Sequence, residues 1–184
     1  MKLKVMVCLL AWTALGTAAR AQDPSKFEVF AGYSYVRANP STAGVDGFNL
    51  DGGSASIAYH ANGWLSAVAD FGGYHASDIL GTGVNGTLST YLFGPRVSYR
   101  RSRITPFGQL LVGAAHVGDS GLGFLASSNS FAMSLGGGLD VRVSRRFSIR
   151  PAQVDYLLTR FDELGAGGRT QNNLRLSTGV VFHF

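Results

Sequence analysis

Residues 131–143 read FAMSLGGGLDVRV and alternate between two kinds of position. The odd-numbered positions from Phe131 to Val143 are apolar apart from one glycine. The even-numbered positions are small, polar or charged, and include Asp140 and Arg142. A period of two predicts a β-strand, because successive side chains of an extended chain point to opposite sides. Residues 131–143 are therefore expected to form a strand with one apolar and one polar face.

The same alternation recurs along the rest of the chain, from Phe27 to Phe184, and no sustained helical period interrupts it. Each alternating segment is long enough to cross the hydrocarbon of a bilayer as a tilted strand. The predicted strands are Phe27–Arg37, Gly47–Tyr59, Trp64–His75, Gly86–Tyr99, Ile104–His116, Ser130–Val143, Phe147–Arg160 and Gln171–Phe184.

The connections between these segments alternate in length. Three are short, around residues 60–63, 100–103 and 144–146. The four long ones are Ala38–Asp46, Ala76–Asn85, Val117–Asn129 and Phe161–Thr170. Short turns on one side and long loops on the other are typical of transmembrane β-barrels. Closure into a barrel is required in lipid, because an open sheet edge would leave backbone groups unpaired. The sequence therefore predicts an all-β, eight-stranded antiparallel up-and-down transmembrane barrel with both termini on the short-turn side.

The first residues have the pattern of an export signal. Lys2 and Lys4 precede an apolar run that is too short to span a bilayer as a helix, and small residues follow it up to Ala21. We expect cleavage after Ala21, which makes residues 1–21 a signal peptide and residues 22–184 the barrel domain. A membrane anchor is the less favoured alternative. The single cysteine, Cys8, lies inside the signal, so no disulfide is expected in the mature chain.

The net charge of +5 belongs mostly to the export signal. Removal of Lys2, Lys4 and Arg20 leaves 13 basic residues against 11 acidic ones. The composition of the mature chain therefore does not favour nucleic-acid binding, although the clusters at residues 100–103 and 145–146 remain locally basic. Charged residues make up only 15% of the chain and glycines number 25, which suits a surface that faces lipid.

Aromatic residues lie near many segment ends, as the interfacial girdles of membrane barrels require. They are Tyr33, Tyr35, Tyr59, Trp64, Tyr91, Tyr99, Phe147, Tyr156, Phe182 and Phe184. The second strand is the least regular, because Phe48 and Leu50 fall on the opposite parity from Ile57 and Tyr59. A β-bulge at residues 52–53 would reconcile the two parities.

The sequence resembles the small outer-membrane β-barrel family, typified by the membrane domain of outer membrane protein A and its eight-stranded relatives. The resemblance rests on the export signal, the strand rhythm and the ending GVVFHF, in which Val180, Phe182 and Phe184 alternate. It implies insertion among outer-membrane lipids of a Gram-negative cell envelope. It also implies that the barrel-assembly machinery reads the last strand. The peptidoglycan-binding domain of larger relatives is not expected.

The alternation assigns polar and charged residues of both signs to the barrel interior. They are Glu28, Asp70, Arg96, Gln109, Asp140, Arg142, Gln153, Asp155 and Arg175, with His183 on the same face. Unpaired charges there would cost several kcal/mol, so we expect an ion-pair network in which Asp155 pairs with Arg175. Large residues share this face and are expected to help fill the interior: Phe30, Val68, Leu92 and Leu111.

The sequence offers little support for catalysis. His75, Ser77 and Asp78 form one dense cluster, but spacing alone does not define a triad. The dispersed histidines predict no metal site, and no cofactor is expected. Three functions stay open: a structural or surface-binding barrel that contacts an extracellular ligand through its long loops, a porin-like channel for small solutes, and an enzyme that modifies lipid A. The first is favoured, and we predict no enzymatic activity.

Overall fold

The computed structural model describes residues 25–39, 47–76, 85–101, 103–120, 127–163 and 166–184. They form eight antiparallel strands that pair in sequence order, and β8 pairs with β1 to close a barrel. This confirms the predicted fold class. Within the described ranges, no helix has the length and apolar character needed to cross a membrane. The strands are β1 Phe27–Ala38, β2 Phe48–His60, β3 Leu65–Ala76, β4 Asn85–Ser98, β5 Ile104–Ser120, β6 Ser127–Arg142, β7 Phe147–Glu163 and β8 Ala166–His183.

The strands of the second half are longer than the sequence pattern indicated. β5 continues to Ser120 and β6 begins at Ser127, while β7 reaches Glu163 and β8 begins at Ala166. The third and fourth long connections are therefore shorter than predicted, because the residues that flank them continue the backbone ladder. The remaining residues of the four connections, 40–46, 77–84, 121–126 and 164–165, lie outside the described part of the chain.

The predicted bulge in β2 is wrong. β1 pairs with β2 in one unbroken register from the pair Phe27 and Tyr59 to the pair Ala38 and Phe48. Side chains of β2 consequently alternate without interruption, and Leu50 is buried inside the barrel. The change of parity in the sequence arises because the interior becomes apolar at this depth, so a large apolar residue no longer marks the outer face.

The outer wall of the barrel is apolar and aromatic. Side chains such as Ile57, Leu110, Val112 and Leu135 are between 44% and 58% exposed, a pattern that a soluble domain rarely shows over a continuous surface. Tyr59 contacts its cross-strand neighbour Phe27 with ring centroids 5.3 Å apart. The aromatic residues predicted for the girdles all lie at least partly exposed. This wall fits hydrocarbon between two interfacial bands.

Both ends of the described chain meet at the seam that closes the barrel. The backbone N–H of Phe184 donates to the carbonyl oxygen of Phe27 at 2.9 Å, and that of Phe27 donates to Phe184 at 3.3 Å. The three short turns lie at the same end as this seam, because every even-numbered strand of an up-and-down barrel finishes there. Short turns mark the periplasmic side in barrels of this architecture.

Candidate functional site

The barrel interior, which we call the lumen, is divided by depth into two parts. Its extracellular half is lined mainly by apolar side chains, including Val36, Leu50, Leu88 and Leu157. Its periplasmic half holds charged and amide side chains, because the inward positions at the start of β1, the end of β4, the end of β6 and the start of β7 are polar. The polar side chains of the periplasmic half therefore form a compact group that the strands enclose.

Arg175 is the centre of one half of this group and is fully buried. Its Nε and Nη2 donate to Oδ2 of Asp155, at 3.0 and 2.9 Å. Its Nη1 donates to Oδ1 of Asp70 at 2.6 Å and to the hydroxyl of Tyr74 at 3.2 Å. Asp155 lies directly opposite Arg175 in the register of β7 and β8. The predicted ion pair is therefore present, and Asp70 joins it from the far side of the lumen.

Glu28 is the centre of the other half. Its Oε1 accepts hydrogen bonds from Nη1 of Arg96 at 3.0 Å and from Nη2 of Arg150 at 3.2 Å. Arg150 also holds Asp140 with two hydrogen bonds, from Nε at 2.7 Å and from Nη2 at 3.0 Å. One carboxylate thus holds together two guanidinium groups that would otherwise repel each other across a poorly solvated space.

Two glutamines join the halves. Gln109 accepts from Nε and Nη2 of Arg96 and donates from Nε2 to Oδ1 of Asp155 at 3.0 Å. Gln153 accepts from Arg150 at 2.8 Å and donates to Oδ2 of Asp155 at 2.7 Å. Amides suit this role because each can donate and accept at once. The nine side chains Glu28, Asp70, Arg96, Gln109, Asp140, Arg150, Gln153, Asp155 and Arg175 form one connected set, called the lumen network below.

Aromatic rings cover the faces of two of the arginines. The guanidinium carbons of Arg96 and Arg150 both lie 4.4 Å from the ring centroid of Phe107, and that of Arg150 lies 4.4 Å from Phe30 as well. A guanidinium is weakly hydrated on its faces and stacks favourably on aromatic rings. The rings therefore fill lumen space while leaving the edges of the guanidinium groups free for hydrogen bonds.

A glycine makes room for the network. A Cβ atom at Gly136 would collide with the carboxylate of Asp155 and with the backbone carbonyl of Val154. Gly136 pairs directly with Asp155 in the register of β6 and β7. Because Gly136 has no side chain, Asp155 can approach β6 closely. A close approach of this kind is a common reason for a glycine within a strand.

Arg150 enters the lumen because β7 contains an irregularity that the sequence pattern did not indicate. The register of β7 with β8 shifts between Arg150 and Gln153. Residues on both sides of the shift therefore point inward although their numbers differ in parity, and Arg150 and Gln153 are both buried. Pro151 lies at the shift, where a residue without a backbone N–H is tolerated. Proline within a strand was the signal that could have located Arg150.

The nine residues predicted to lie in the barrel interior fall into two groups. Eight of the nine predicted for the interior are buried: Glu28, Asp70, Arg96, Gln109, Asp140, Gln153, Asp155 and Arg175. The placement of Arg142 in the interior is wrong, because this residue ends β6 and its side chain is exposed at the periplasmic mouth. Three contacting residues were not singled out for the network by the sequence: Arg150, Tyr74 and Phe107.

Two histidines lie beside Glu28 at the periplasmic mouth. Nε2 of His60 is 3.4 Å from Oε2 of Glu28, and Nδ1 of His183 is 3.9 Å from the same atom. The other ring nitrogen of each contacts a serine hydroxyl, Ser66 at 2.6 Å and Ser148 at 2.8 Å. Among the described side chains, no group of three or more His, Cys, Asp and Glu residues is arranged to hold a metal ion.

The cluster considered for catalysis lies mostly outside the described residues. His75 is exposed on the outer wall near the extracellular end of β3, and residues 77–80 are not described. The outer wall faces away from the lumen network, so His75 does not contribute to that set of contacts.

A closed eight-stranded wall with an apolar outer surface and a charged interior defines a small transmembrane β-barrel of the outer membrane. The family model described as outer membrane protein beta-barrel domain matches residues 6–184, and the chain belongs to this family. Comparison with curated protein sequences gives no match.

Solved structures of similar fold agree with this assignment. Neisserial surface protein A has a TM-score of 0.71 at 15% identity, over 89% of this chain and 100% of its own. Ail, the attachment invasion locus protein of Yersinia pestis, has a TM-score of 0.62 at 16% identity, over 88% and 100%. The N-terminal β-barrel domain of Pseudomonas aeruginosa OprF has a TM-score of 0.54 at 16% identity, over 88% and 100%. At these identities the likeness concerns the fold.

Proposed function

We propose that this outer-membrane protein is a structural or surface-binding barrel whose lumen is closed to solutes and whose extracellular connections make its contacts. The observation that carries the proposal is the lumen network. Arg96, Arg150 and Arg175 are at most 2% exposed, and each is held by at least one carboxylate. A wide water path would expose these groups, whereas an eight-stranded barrel has an interior that side chains can fill.

The apolar half of the lumen supports the same proposal. Leu92, Leu111 and Leu157 are fully buried in the barrel interior and belong to one packed apolar cluster. An ion that crossed the barrel would have to lose its hydration beside these side chains, which is unfavourable. A small-solute pore is the alternative, favoured by the unbroken chain of polar contacts from Asp140 to Asp70, whose partners could exchange during transient opening.

We place the proposed contacts at the extracellular connections because connecting segments on a rigid scaffold commonly carry the binding residues of a protein. In the sequence, the four long connections as predicted contain Asp46, Asp78, Asp119, Asp162 and Glu163 but a single basic residue, Arg169. Ail has been solved in complex with the heparin analogue sucrose octasulfate. The acidic connections of this chain favour a polar or cationic ligand over such a polyanion.

The proposed function is tested by planar-bilayer recordings of the refolded barrel, where the closed lumen predicts no stable conductance. A lipid-modifying enzyme would instead reveal itself through altered lipid A after deletion of the gene.

Binding through the connections is tested by replacing residues 121–126 with a short glycine-serine link. The altered protein should still assemble but lose contact with its ligand.

We also propose that export removes residues 1–21. The basic residues, the short apolar run and the small residues before Gln22 support this cleavage site. Mass spectrometry of protein extracted from outer membranes is expected to give a chain that begins at Gln22. Recovery of a chain that still begins at Met1 would show that the assignment is wrong.

The last strand is proposed to carry the assembly signal, with Val180, Phe182 and Phe184 on one face. The rings of Phe147 and Phe182 contact each other on this wall, 5.5 Å apart, and Phe184 hydrogen bonds to β1 through its backbone only. Phe184→Asp is therefore expected to reduce the yield in the outer membrane severalfold while changing few contacts of the finished barrel. Phe27→Asp at the same end serves as the control, and an unchanged yield of Phe184→Asp would contradict the proposal.

A further inference from the structure

The periplasmic end of the barrel carries a dense group of arginines on two adjacent turns. One turn follows β4 and the other follows β6. The turns are neighbours because β5 pairs with β6, and the backbone N–H of Arg142 donates to the carbonyl oxygen of Arg103 at 2.8 Å. The five arginines of these turns and Arg142, the last residue of β6, are all exposed, and together we call them the arginine face: Arg100, Arg101, Arg103, Arg142, Arg145 and Arg146.

No described carboxylate balances this charge. The four acidic groups of the lumen are buried and already pair with Arg96, Arg150 and Arg175. None of the six exposed arginines forms an ion pair with an acidic side chain in the described ranges. Six like charges so close together repel one another, and an external anion would stabilise the arrangement.

The position of the arginine face relative to the lipid indicates which anion this is. Tyr99 is 69% exposed and immediately precedes Arg100, and Val143 is 59% exposed at the start of the second turn. These side chains and that of Ile104, the first residue of β5, are the lipid-facing residues nearest the periplasmic end of this part of the wall. Arg100 and Arg103 each lie one residue beyond these side chains, at the depth where lipid phosphates lie.

We propose that the arginine face binds the phosphate groups of anionic phospholipids in the periplasmic leaflet. The planar guanidinium donates two parallel hydrogen bonds to a phosphate, which makes arginine better suited than lysine to this group. Basic side chains beside a bilayer favour anionic lipids, at about 1 kcal/mol or roughly fivefold for each charge. The barrel would thereby hold a shell of anionic lipid on the β4–β7 side of its periplasmic rim.

A native fluorophore lies beside this face. Trp64 is 56% exposed, and its carbonyl oxygen accepts a hydrogen bond from the backbone N–H of Ser98, next to the first arginine turn. The only other tryptophan of the sequence, Trp12, lies in the predicted export signal. Protein purified from outer membranes is reconstituted into vesicles of equal parts phosphatidylcholine and phosphatidylglycerol, with brominated acyl chains on one lipid or the other. Quenching of Trp64 then reports which lipid is its neighbour.

Brominated phosphatidylglycerol is expected to quench Trp64 more strongly than brominated phosphatidylcholine, with an apparent preference of about fivefold or more. The variant in which Arg100, Arg101, Arg145 and Arg146 are changed to Gln should lose this preference. The matched variant with Lys at the same four positions should keep part of it, because it keeps the charge but not the paired donors. Arg37→Gln, at the other end of the barrel, should have no effect.

Equal quenching by the two lipids in the unaltered protein would overturn the proposal. Binding of the unaltered protein to isolated peptidoglycan sacculi, lost in the Gln variant and accompanied by equal quenching, would assign the face to the cell wall instead. If the Gln variant fails to fold, as judged by gel mobility without heating, a salt titration of the unaltered protein replaces it. The preference must then fall as salt rises, and a preference that salt leaves unchanged counts against phosphate binding.

Discussion

Arg175→Leu is expected to lower the free energy of unfolding by about 3–5 kcal/mol, the usual cost of removing one partner from a buried ion pair. Arg175 is fully buried and donates hydrogen bonds to two carboxylates. Its loss leaves Asp155 and Asp70 facing each other without a counter-charge, and leaves the Tyr74 hydroxyl without its guanidinium neighbour. The expected destabilisation therefore exceeds that of a simple loss of packing.

A double substitution separates the ion pair from other effects. In Asp155→Asn with Arg175→Leu, one of the stranded charges disappears together with the guanidinium. The combined loss should be smaller than the sum of the two single losses. Arg37→Leu is the control, because this arginine is exposed and should change stability by no more than about 0.5 kcal/mol.

Denaturant titration in detergent micelles, followed by the fluorescence of Trp64, measures the unaltered protein, the two single variants Asp155→Asn and Arg175→Leu, the double variant and Arg37→Leu. Additive losses in the double variant would show that Asp155 and Arg175 do not act as a pair. They would also contradict the contact of 2.9 Å between them.

Glu28→Ala is expected to have the second large effect, because it removes the carboxylate that Arg96 and Arg150 share. Both guanidinium groups lie against the ring of Phe107, so the like charges stay close once Glu28 is gone. We expect a loss of several kcal/mol of stability and a partly opened periplasmic half of the lumen.

Conductance recordings should distinguish variants of Glu28 from a control substitution near the same end of the lumen. Glu28→Ala is expected to give short-lived conductance steps that the unaltered protein lacks, because Arg96 and Arg150 lose the carboxylate that holds them together. Glu28→Gln retains a hydrogen-bond acceptor and should show fewer such steps. Ser98→Ala, near the same end of the lumen but outside the network, is the control and should stay silent. Equal behaviour of Glu28→Ala and Ser98→Ala would show that Glu28 does not close the lumen.

The alternation of the sequence was sufficient to predict the fold, because a side-chain period of two fixes which residues share a wall. It placed Asp70, Asp155 and Arg175 on the inner wall although they come from strands far apart in sequence. It failed where the period itself breaks. At residues 151–152 an irregularity reverses the parity of β7, and Arg150 was missed for this reason.

The partners inside the lumen could not be predicted in the same way. The pair Asp155 and Arg175 follows from one hairpin, since the turn between β7 and β8 fixes which residues face each other. The contact between Arg175 and Asp70 crosses the barrel from β8 to β3 and depends on the closure of the sheet. The prediction for β2 failed for a different reason, because Leu50 is apolar and yet points inward, where the extracellular half of the lumen is itself apolar.

We propose that side chains close the lumen and that the protein makes its contacts at its two ends. Planar-bilayer recordings of the refolded, unaltered barrel test it most directly, in parallel with a form whose extracellular connections have been shortened so that they cannot act as a lid. Both forms are expected to give a silent bilayer, because Arg150 and Arg175 are fully buried between the strands and their network includes no residue of the loops. Stable, long-lived conductance steps in both forms would contradict it and establish a pore.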